Sequence, residues 1–150
     1  MKPLNLFLLI IGLLTLVLGV AWYVYPERPQ ELTHDYTATV RQDCAPWDGA
    51  AFSVKIPLGN NDIIDIAIWE APTIQSEKTF SFLEEPSQAG YANLAHSAES
   101  GEQLIGTVSF TYVEPGNPVE GKFELKTLDS RQQFAGRFHA EWVKQFMLCG

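Results

Sequence analysis

Hydrophobic and polar residues alternate along the C-terminal third of the chain in three nine-residue repeats, which begin at Gly106, Gly121 and Gly136. In each repeat the second, fourth and sixth residues after the glycine share one side of a strand, because side chains alternate in direction along a β-strand. That side is mostly apolar and carries Val108, Phe110, Tyr112, Phe123, Leu125, Thr127, Phe138, Ala140 and Trp142. The pattern predicts a three-stranded antiparallel meander with one buried face.

Alternating segments also precede the meander. Residues 51–58 put four large apolar residues on one side, and the turn residues 59–62 lead into a β-branched segment at 63–70, which together predict a hairpin. Residues 34–41, 79–83 and 91–96 are further candidate strands. The count is about eight strands with frequent turns, so we expect an all-β fold, an antiparallel sandwich or barrel. Alternation does not reveal strand order, and both architectures stay open.

The N-terminal segment is continuously apolar and shows no alternation of hydrophobic and polar residues. Residues 4–25 contain no charged side chain, and about 20 such residues span the hydrocarbon core of a bilayer as a helix. We predict an uncleaved transmembrane anchor in residues 1–25. A cleaved signal peptide is the alternative, with Gly19-Val20-Ala21 as its cleavage site, but Trp22 follows directly and fits that pattern poorly.

Two sets of residues characterise this predicted helix. Trp22, Tyr23 and Tyr25 cluster at its end, where amphipathic rings favour the level of the lipid headgroups. Gly12, Thr15 and Gly19 share one helical face and predict close packing against another helix. The alternative for this second set is that glycine is simply common in membrane helices.

The predicted organisation has three parts: an anchor at 1–25, a proline-containing linker at 26–33 and a β domain at 34–150. Lys2 and the amino terminus favour the cytoplasmic side for the start of the chain. The expected location is therefore the inner (plasma) membrane, crossed once, with the β domain in the periplasm or outside the cell.

Cys44 and Cys149 are the two cysteines of the sequence. An oxidising compartment outside the cytoplasm favours joining them as a disulfide, and neither has the close spacing of a metal or redox pair. The closed loop would exceed a hundred residues, for which loop-closure entropy contributes at most about 4.7 kcal/mol.

Charge and motifs exclude several functions. All 18 acidic residues follow Pro26 and the net charge is −8, which disfavours nucleic acid as a partner because the surface repels phosphates. The sequence contains no nucleophile elbow, phosphate-binding loop or metalloprotease motif. His34, His96 and His139 lack the spacing of a metal site. We therefore expect no enzyme activity, no catalytic or metal-binding residues and no cofactor.

Aromatic side chains are the remaining candidates for function. Trp47 lies in a turn-rich loop beside Cys44, and Trp69 points to the side opposite the isoleucines of its strand. Large amphipathic rings of this kind anchor protein interfaces or line apolar cavities. We predict Trp47 and Trp69 as a contact surface.

The segments Gly121-Lys-Phe-Glu-Leu and Gly136-Arg-Phe-His-Ala form a paired G-x-F hairpin. This hairpin resembles a pattern of uncharacterised bacterial cell-envelope β proteins, many of them lipoproteins. The resemblance covers about the last 45 residues, and the chain lacks the lipid-accepting cysteine of the lipoproteins. It implies a β-type protein of the bacterial envelope and transfers no functional residue.

These observations favour a membrane-anchored accessory or interaction subunit of a membrane-protein assembly. The alternative is a lipocalin-like barrel that binds a small apolar molecule, which a closed apolar cavity would support. A third possibility is an enzyme of unfamiliar type, which convergence of the histidines with carboxylates would support.

Overall fold

Eight β-strands form the part of the chain that the computed structural model describes, which comprises residues 34–85, 88–96, 101–144 and 149. In chain order they are β1 (Asp35–Cys44), β2 (Ala50–Gly59), β3 (Asp62–Ile68), β4 (Lys78–Phe82), β5 (Gly90–His96), β6 (Glu102–Tyr112), β7 (Val119–Thr127) and β8 (Gln133–Trp142). The predicted all-β class is confirmed, and so are the strand positions within a few residues.

Seven of the strands close into a barrel in the order β1, β2, β3, β5, β6, β7, β8 and back to β1. The predicted hairpin is β2–β3, and its turn contains Asn60 and Asn61 at positive φ. The predicted meander is β6–β7–β8, with antiparallel pairing throughout. β4 is the eighth strand and pairs with the C-terminal half of β6.

The barrel closes through a parallel pair, which corrects the expectation of a purely antiparallel sheet. β1 lies beside β8 in parallel register, from Asp35 opposite Arg137 to Val40 opposite Trp142. The first and last strands are therefore neighbours. Alternation along one strand carries no information about its partner's direction, so the sequence pattern could not reveal this pair.

The interior of the barrel is filled with side chains. The largest, each less than 2 % exposed, are Phe52, Phe110, Phe123, Ile56, Ile64, Ile66, Ile68, Leu94, Leu104, Val40, Val54 and Val108. Phe110 contacts Phe52, Phe80 and Phe138, with ring centroids 5.3–5.8 Å apart in edge-to-face geometry. A side chain that lined an internal void large enough for water would retain solvent-accessible surface. The interior side chains of this barrel retain almost none. The interior is a packed core.

The alternating pattern of the meander correctly predicts which of its side chains are buried, with two exceptions. Tyr112 was expected inside but is exposed, because a register shift between Phe110 and Tyr112 interrupts the β6–β7 ladder. Ser109 was expected in solvent but is buried, and its hydroxyl lies 2.7 Å from Thr79 Oγ1 of β4. Ser109 therefore contacts its ladder partner Thr79 on the neighbouring strand β4.

The strand directions define which turns and loops lie at each end of the barrel. We call the end at which β1 begins the near end and the end at which β1 finishes the far end. By the pairing directions, β3 and β8 also finish at the far end, where β2, β5 and β7 begin. The turns after β2 and β7 consequently lie at the near end, and the loops after β1 and β3 lie at the far end.

The sheet splits at the far end, between β4 and β5. β5 pairs with β6 only through Asn93 and Leu94, whereas all of β4 pairs with residues 106–110 of β6. β5 begins at Gly90, which has a φ of +138°, and a Cβ atom there would lie 1.8 Å from the Ala67 carbonyl oxygen. Only glycine fits this close approach to β3.

The predicted disulfide between Cys44 and Cys149 is present, with Cα atoms 5.6 Å apart. It joins the end of β1 to the end of the chain, at the far end of the barrel.

The predicted anchor at 1–25 and linker at 26–33 lie outside the described residues. So do the helix-packing residues Gly12, Thr15 and Gly19 and the interface residues Trp22, Tyr23 and Tyr25. Within the described part, no helix is long and apolar enough to span a bilayer.

Candidate functional site

Three aromatic side chains meet on the outside of the barrel at its far end. The Trp47 and Trp69 rings are 5.5 Å apart at an interplanar angle of 82°, and the Trp69 and Tyr91 rings are 6.4 Å apart at 74°. Edge-to-face contacts of this kind stabilise aromatic pairs beyond the area they bury. We call Trp47, Trp69 and Tyr91 the aromatic surface.

A short loop between β1 and β2 presents Trp47. The Ala45 N–H donates to the Gly49 carbonyl at 2.8 Å, and the Asp48 N–H donates to the Ala45 carbonyl at 2.9 Å. Asp48 has a φ of 61°, a left-handed conformation that aspartate tolerates better than most residues. The disulfide at Cys44 fixes the start of this loop. Trp47 is thus 58 % exposed on a well-held turn.

The strands place the other two rings. Trp69 follows β3, and its N–H donates to the Ala89 carbonyl at 2.9 Å, which extends the β3–β5 pairing by one step. Tyr91 lies opposite Ala67 in the same ladder. The alternation of β5 buries its neighbour Ala92 and turns Tyr91 outward. The sequence analysis named both tryptophans, and the structure shows that they are in contact.

A row of residues across the outer face connects Tyr91 to charged side chains. In register, Tyr91 is followed by Ala67, Ser53 and Arg41 on consecutive strands. Ser53 is buried and accepts a hydrogen bond from Arg41 Nε at 2.9 Å. Arg41 also pairs with Asp43 at 3.5 Å. Arginine therefore lies on the same outer face as the aromatic surface.

A second ion pair flanks this row. Lys55 Nζ lies 3.5 Å from Asp65 Oδ2, whereas Asp65 Oδ1 is buried without a hydrogen-bond partner among the described residues. The pKa of Tyr91 is raised above its ordinary value of about 10, mainly by burial and then by the negative charges of Asp65 and Asp43. Arg41 acts in the opposite direction. The phenol of Tyr91 thus stays protonated at neutral pH beside two carboxylates.

A cleft of about 210 Å³ opens next to the aromatic surface, where the sheet splits. Trp69 and Tyr91 form one side, Phe82 and Leu83 at the end of β4 belong to the other, and Leu104 is also part of the lining. Leu83 is 65 % exposed. Gln103 Nε2 donates to the Leu83 carbonyl at 3.0 Å and holds this segment in place.

Strand edges border the same cleft. Because Trp69 pairs with Ala89 through its N–H, the alternation of an antiparallel ladder directs the main-chain groups of Gly90 and Ala92 away from β3. Neither residue has a ladder partner on β6, and β4 has no ladder partner besides β6 in the described ranges. Gly90 and Ala92 are themselves buried, so the accessible part of the cleft is formed mainly by side chains such as those of Tyr91 and Leu83.

A larger surface depression of about 360 Å³ lies over β6, β7, β8 and β1. Its lining includes Lys122, Arg137 and His139 together with Glu77 and Glu120. Lys122 pairs with Glu77 at 2.9 Å, and His139 Nδ1 lies 3.6 Å from Glu120. Charges of both signs compensate one another here, so this depression has no clear ligand preference.

The histidines are dispersed. His96 lies on β5, where its Nδ1 is 2.8 Å from Asp62 Oδ1. His34 precedes β1 and His139 lies on β8, and both strands are three positions from β5 around the barrel. Among the residues that the structure describes, no group of three histidine, cysteine, aspartate or glutamate side chains could hold a metal ion. His96 therefore does not share a site with either of the other two histidines.

Sequence reasoning missed the other members of this site. Tyr91 lies on a short strand and Leu83 directly follows one, and the pairing of these strands decides which residues they meet. Arg41 and Asp65 join the site only through the strand register. The outward position of Tyr91, between Gly90 and Ala92, was the available signal. Comparisons with protein-family models, with characterised proteins and with solved structures found no match to this chain.

Proposed function

We propose that this protein is a membrane-anchored, non-catalytic accessory subunit that binds other subunits of a membrane-protein assembly. The β domain would lie in the periplasm or outside the cell and make its contacts through the aromatic surface. The anchor and its orientation rest on the sequence of residues 1–33. The disulfide supports an oxidising location, because such bonds persist outside the cytoplasm.

The observation that carries the proposal is the composition of the aromatic surface. Trp47, Trp69 and Tyr91 form one cluster, and Arg41 lies on the same face. Tryptophan, tyrosine and arginine are the residues that contribute most to binding at the centres of protein interfaces. Trp47 in particular exposes a large apolar area on a fixed loop, which costs little conformational entropy to bury against a partner.

The filled interior supports contact through the outer surface. A lipocalin-like barrel needs an internal space for its ligand, and the interior side chains of this barrel leave almost no accessible surface. The lipocalin-like alternative therefore has less support than an interaction subunit.

Co-purification from the native membrane tests the proposal. An affinity tag inserted in the turn after β7, between Ser130 and Arg131, lies at the near end and leaves the aromatic surface free. After extraction in a mild detergent, mass spectrometry should find other membrane proteins in stoichiometric amounts. Trp47→Ala should reduce their recovery about tenfold or more, as expected for a residue at the centre of an interface.

Matched variants separate the contributing surfaces. Leu128→Ala removes a comparably exposed side chain at the near end and should leave recovery unchanged. The double variant Gly12→Leu, Gly19→Leu tests whether the predicted anchor helix also packs against a partner. Recovery of the unmodified protein alone, without stoichiometric partners, would contradict the proposed function.

A further inference from the structure

Acidic residues directly follow residues of the aromatic surface and of its cleft in the sequence. Trp47 is followed in sequence by Asp48, Trp69 by Glu70, and Leu83 by Glu84 and Glu85. Glu70 is paired with Lys78. Asp48, Glu84 and Glu85 make no ion pair with any described residue. We call these three residues the rim of the surface. The rim carries negative charges that no ion pair with a described residue compensates.

The nearby cations do not cancel this charge. Arg41 is paired with Asp43, and Lys55 is paired with Asp65, so each cation is matched by one acid on the same face. Lys78 is likewise matched by Glu70, and it also lies over the Phe80 ring, 5.2 Å from its centroid. Lys144, which follows β8 at the far end, makes no ion pair with a described residue, so the three unpaired acids of the rim exceed it by two charges.

Aromatic rings and a negative rim attract the same kind of group. The face of an indole or phenol ring binds a guanidinium or ammonium ion through its quadrupole. Carboxylates around such rings add an electrostatic attraction that also accelerates the encounter. Phosphate-bearing or otherwise anionic ligands would be repelled, and an uncharged ligand would gain nothing from the rim.

We infer that the aromatic surface and its cleft bind a cationic, partly apolar polypeptide segment of the partner. Arginine or lysine side chains of that segment would lie against the rings of Trp47 and Tyr91 and pair with Asp48, Glu84 and Glu85. An apolar side chain would enter the cleft between Trp69 and Leu83. This inference rests on the proposed contact function of the same surface.

Labelled synthetic peptides test the inference on the full-length chain in a neutral detergent. Three nine-residue probes alternate leucine with arginine, with glutamine or with glutamate, and their binding is followed by fluorescence anisotropy. We expect the arginine probe to bind about tenfold or more tightly than the glutamine probe and the glutamate probe not to bind. The preference should shrink as the salt concentration rises, because exposed charges are screened.

Variants assign the binding to this surface. The triple variant Asp48→Asn, Glu84→Gln, Glu85→Gln should weaken the arginine probe about three- to tenfold. Asparagine tolerates the left-handed conformation at position 48, so the loop is preserved. The matched control Asp35→Asn, Glu124→Gln, Glu141→Gln removes as many exposed acids from β1, β7 and β8 and should leave binding unchanged.

A further substitution distinguishes the contribution of the aromatic ring of Trp47 from that of its hydrophobicity. Trp47→Leu keeps an apolar side chain but removes the aromatic face, and it should weaken the arginine probe about two- to fivefold with little effect on the glutamine probe. Equal losses for both probes would show that the cation is not recognised by the ring.

The outcomes distinguish this inference from the proposed function. Equal binding of the arginine and glutamine probes, absence of binding by every probe, or preference for a neutral oligosaccharide such as chitotetraose would overturn the inference. Self-association that depends on Trp47 would overturn it as well. If co-purification of membrane partners still required Trp47, the proposed function would survive any of these results.

Discussion

Tyr91 shows how a single side chain on this surface responds to its surroundings. Burial and the carboxylates of Asp65 and Asp43 all favour the neutral phenol, and Arg41 opposes them only in part. The folded chain therefore holds the Tyr91 proton more strongly than the unfolded chain does. Below a pH of about 10 the phenol is neutral in both states, and its contribution to stability is complete. That contribution is lost as the pH rises through the higher pKa of the folded state.

We expect Asp65→Asn to lower the pKa of Tyr91 towards its ordinary value, because Asp65 raises this pKa more than Asp43 does. The ultraviolet absorbance of the phenolate, measured against Tyr91→Phe to isolate this residue, follows the titration. Asp35→Asn is the control and should leave the pKa of Tyr91 unchanged. If Asp65→Asn also had no effect, burial and Asp43 would account for the raised pKa without Asp65.

At the scale of residues, the sequence indicated which side chains matter but not which ones meet. Trp47 and Trp69 could be named because each is a large ring outside an apolar stripe. Their contact could not be foreseen, because it depends on the loop after β1 reaching the end of β3. The disulfide was predictable because no other cysteine competes for either partner.

Strands were the most predictable elements, since alternation reports one buried face directly. The Phe52–Leu58 and Phe123–Thr127 stripes are mostly inside, as expected. β4 and β5 were the least predictable in their roles. Their short segments share one edge of β6, and the cleft lies where β5 leaves that edge and β4 pairs with it instead.

Gly90→Ala should destabilise the fold by about 3 kcal/mol or more, because alanine is strained at the φ of Gly90 and its methyl group would strike the Ala67 carbonyl. Urea denaturation of the variant measures the loss in the free energy of unfolding. Gly116→Ala is a matched control, with a φ of +91° and no atom within 4 Å of the added Cβ. It should cost only about 1 kcal/mol for the backbone strain. Equal losses in the two variants would contradict the close approach at Gly90.

The barrel is held closed by two connections between its first strand and the C-terminal part of the β domain. One is the parallel β1–β8 ladder, and the other is the disulfide from Cys44 to Cys149. Both lie beyond what alternation can encode, although the cysteine count made the second predictable. Together they fix the loop that carries Trp47 relative to the last strand.

Replacing both cysteines by serine should lower the free energy of unfolding by about 2–4 kcal/mol, because the unfolded chain gains the freedom of a long loop. The midpoint of urea unfolding reports this change, and the far-ultraviolet circular dichroism of the folded state should remain that of a β protein. Reducing agent should shift the unmodified protein to the same midpoint and leave the double variant unaffected. An unchanged midpoint in the variant would mean that the bond contributes nothing to stability.

The parallel closure also sets the order of events during folding. β1 finds its second neighbour only when β8 exists, about 100 residues later in synthesis, since Asp35 lies opposite Arg137. Until then the nascent sheet has an open edge that other chains could pair with. Contacts between such distant segments slow folding. The barrel of this protein therefore forms late, after nearly all of the chain has emerged, and a chain truncated before residue 133 cannot close it.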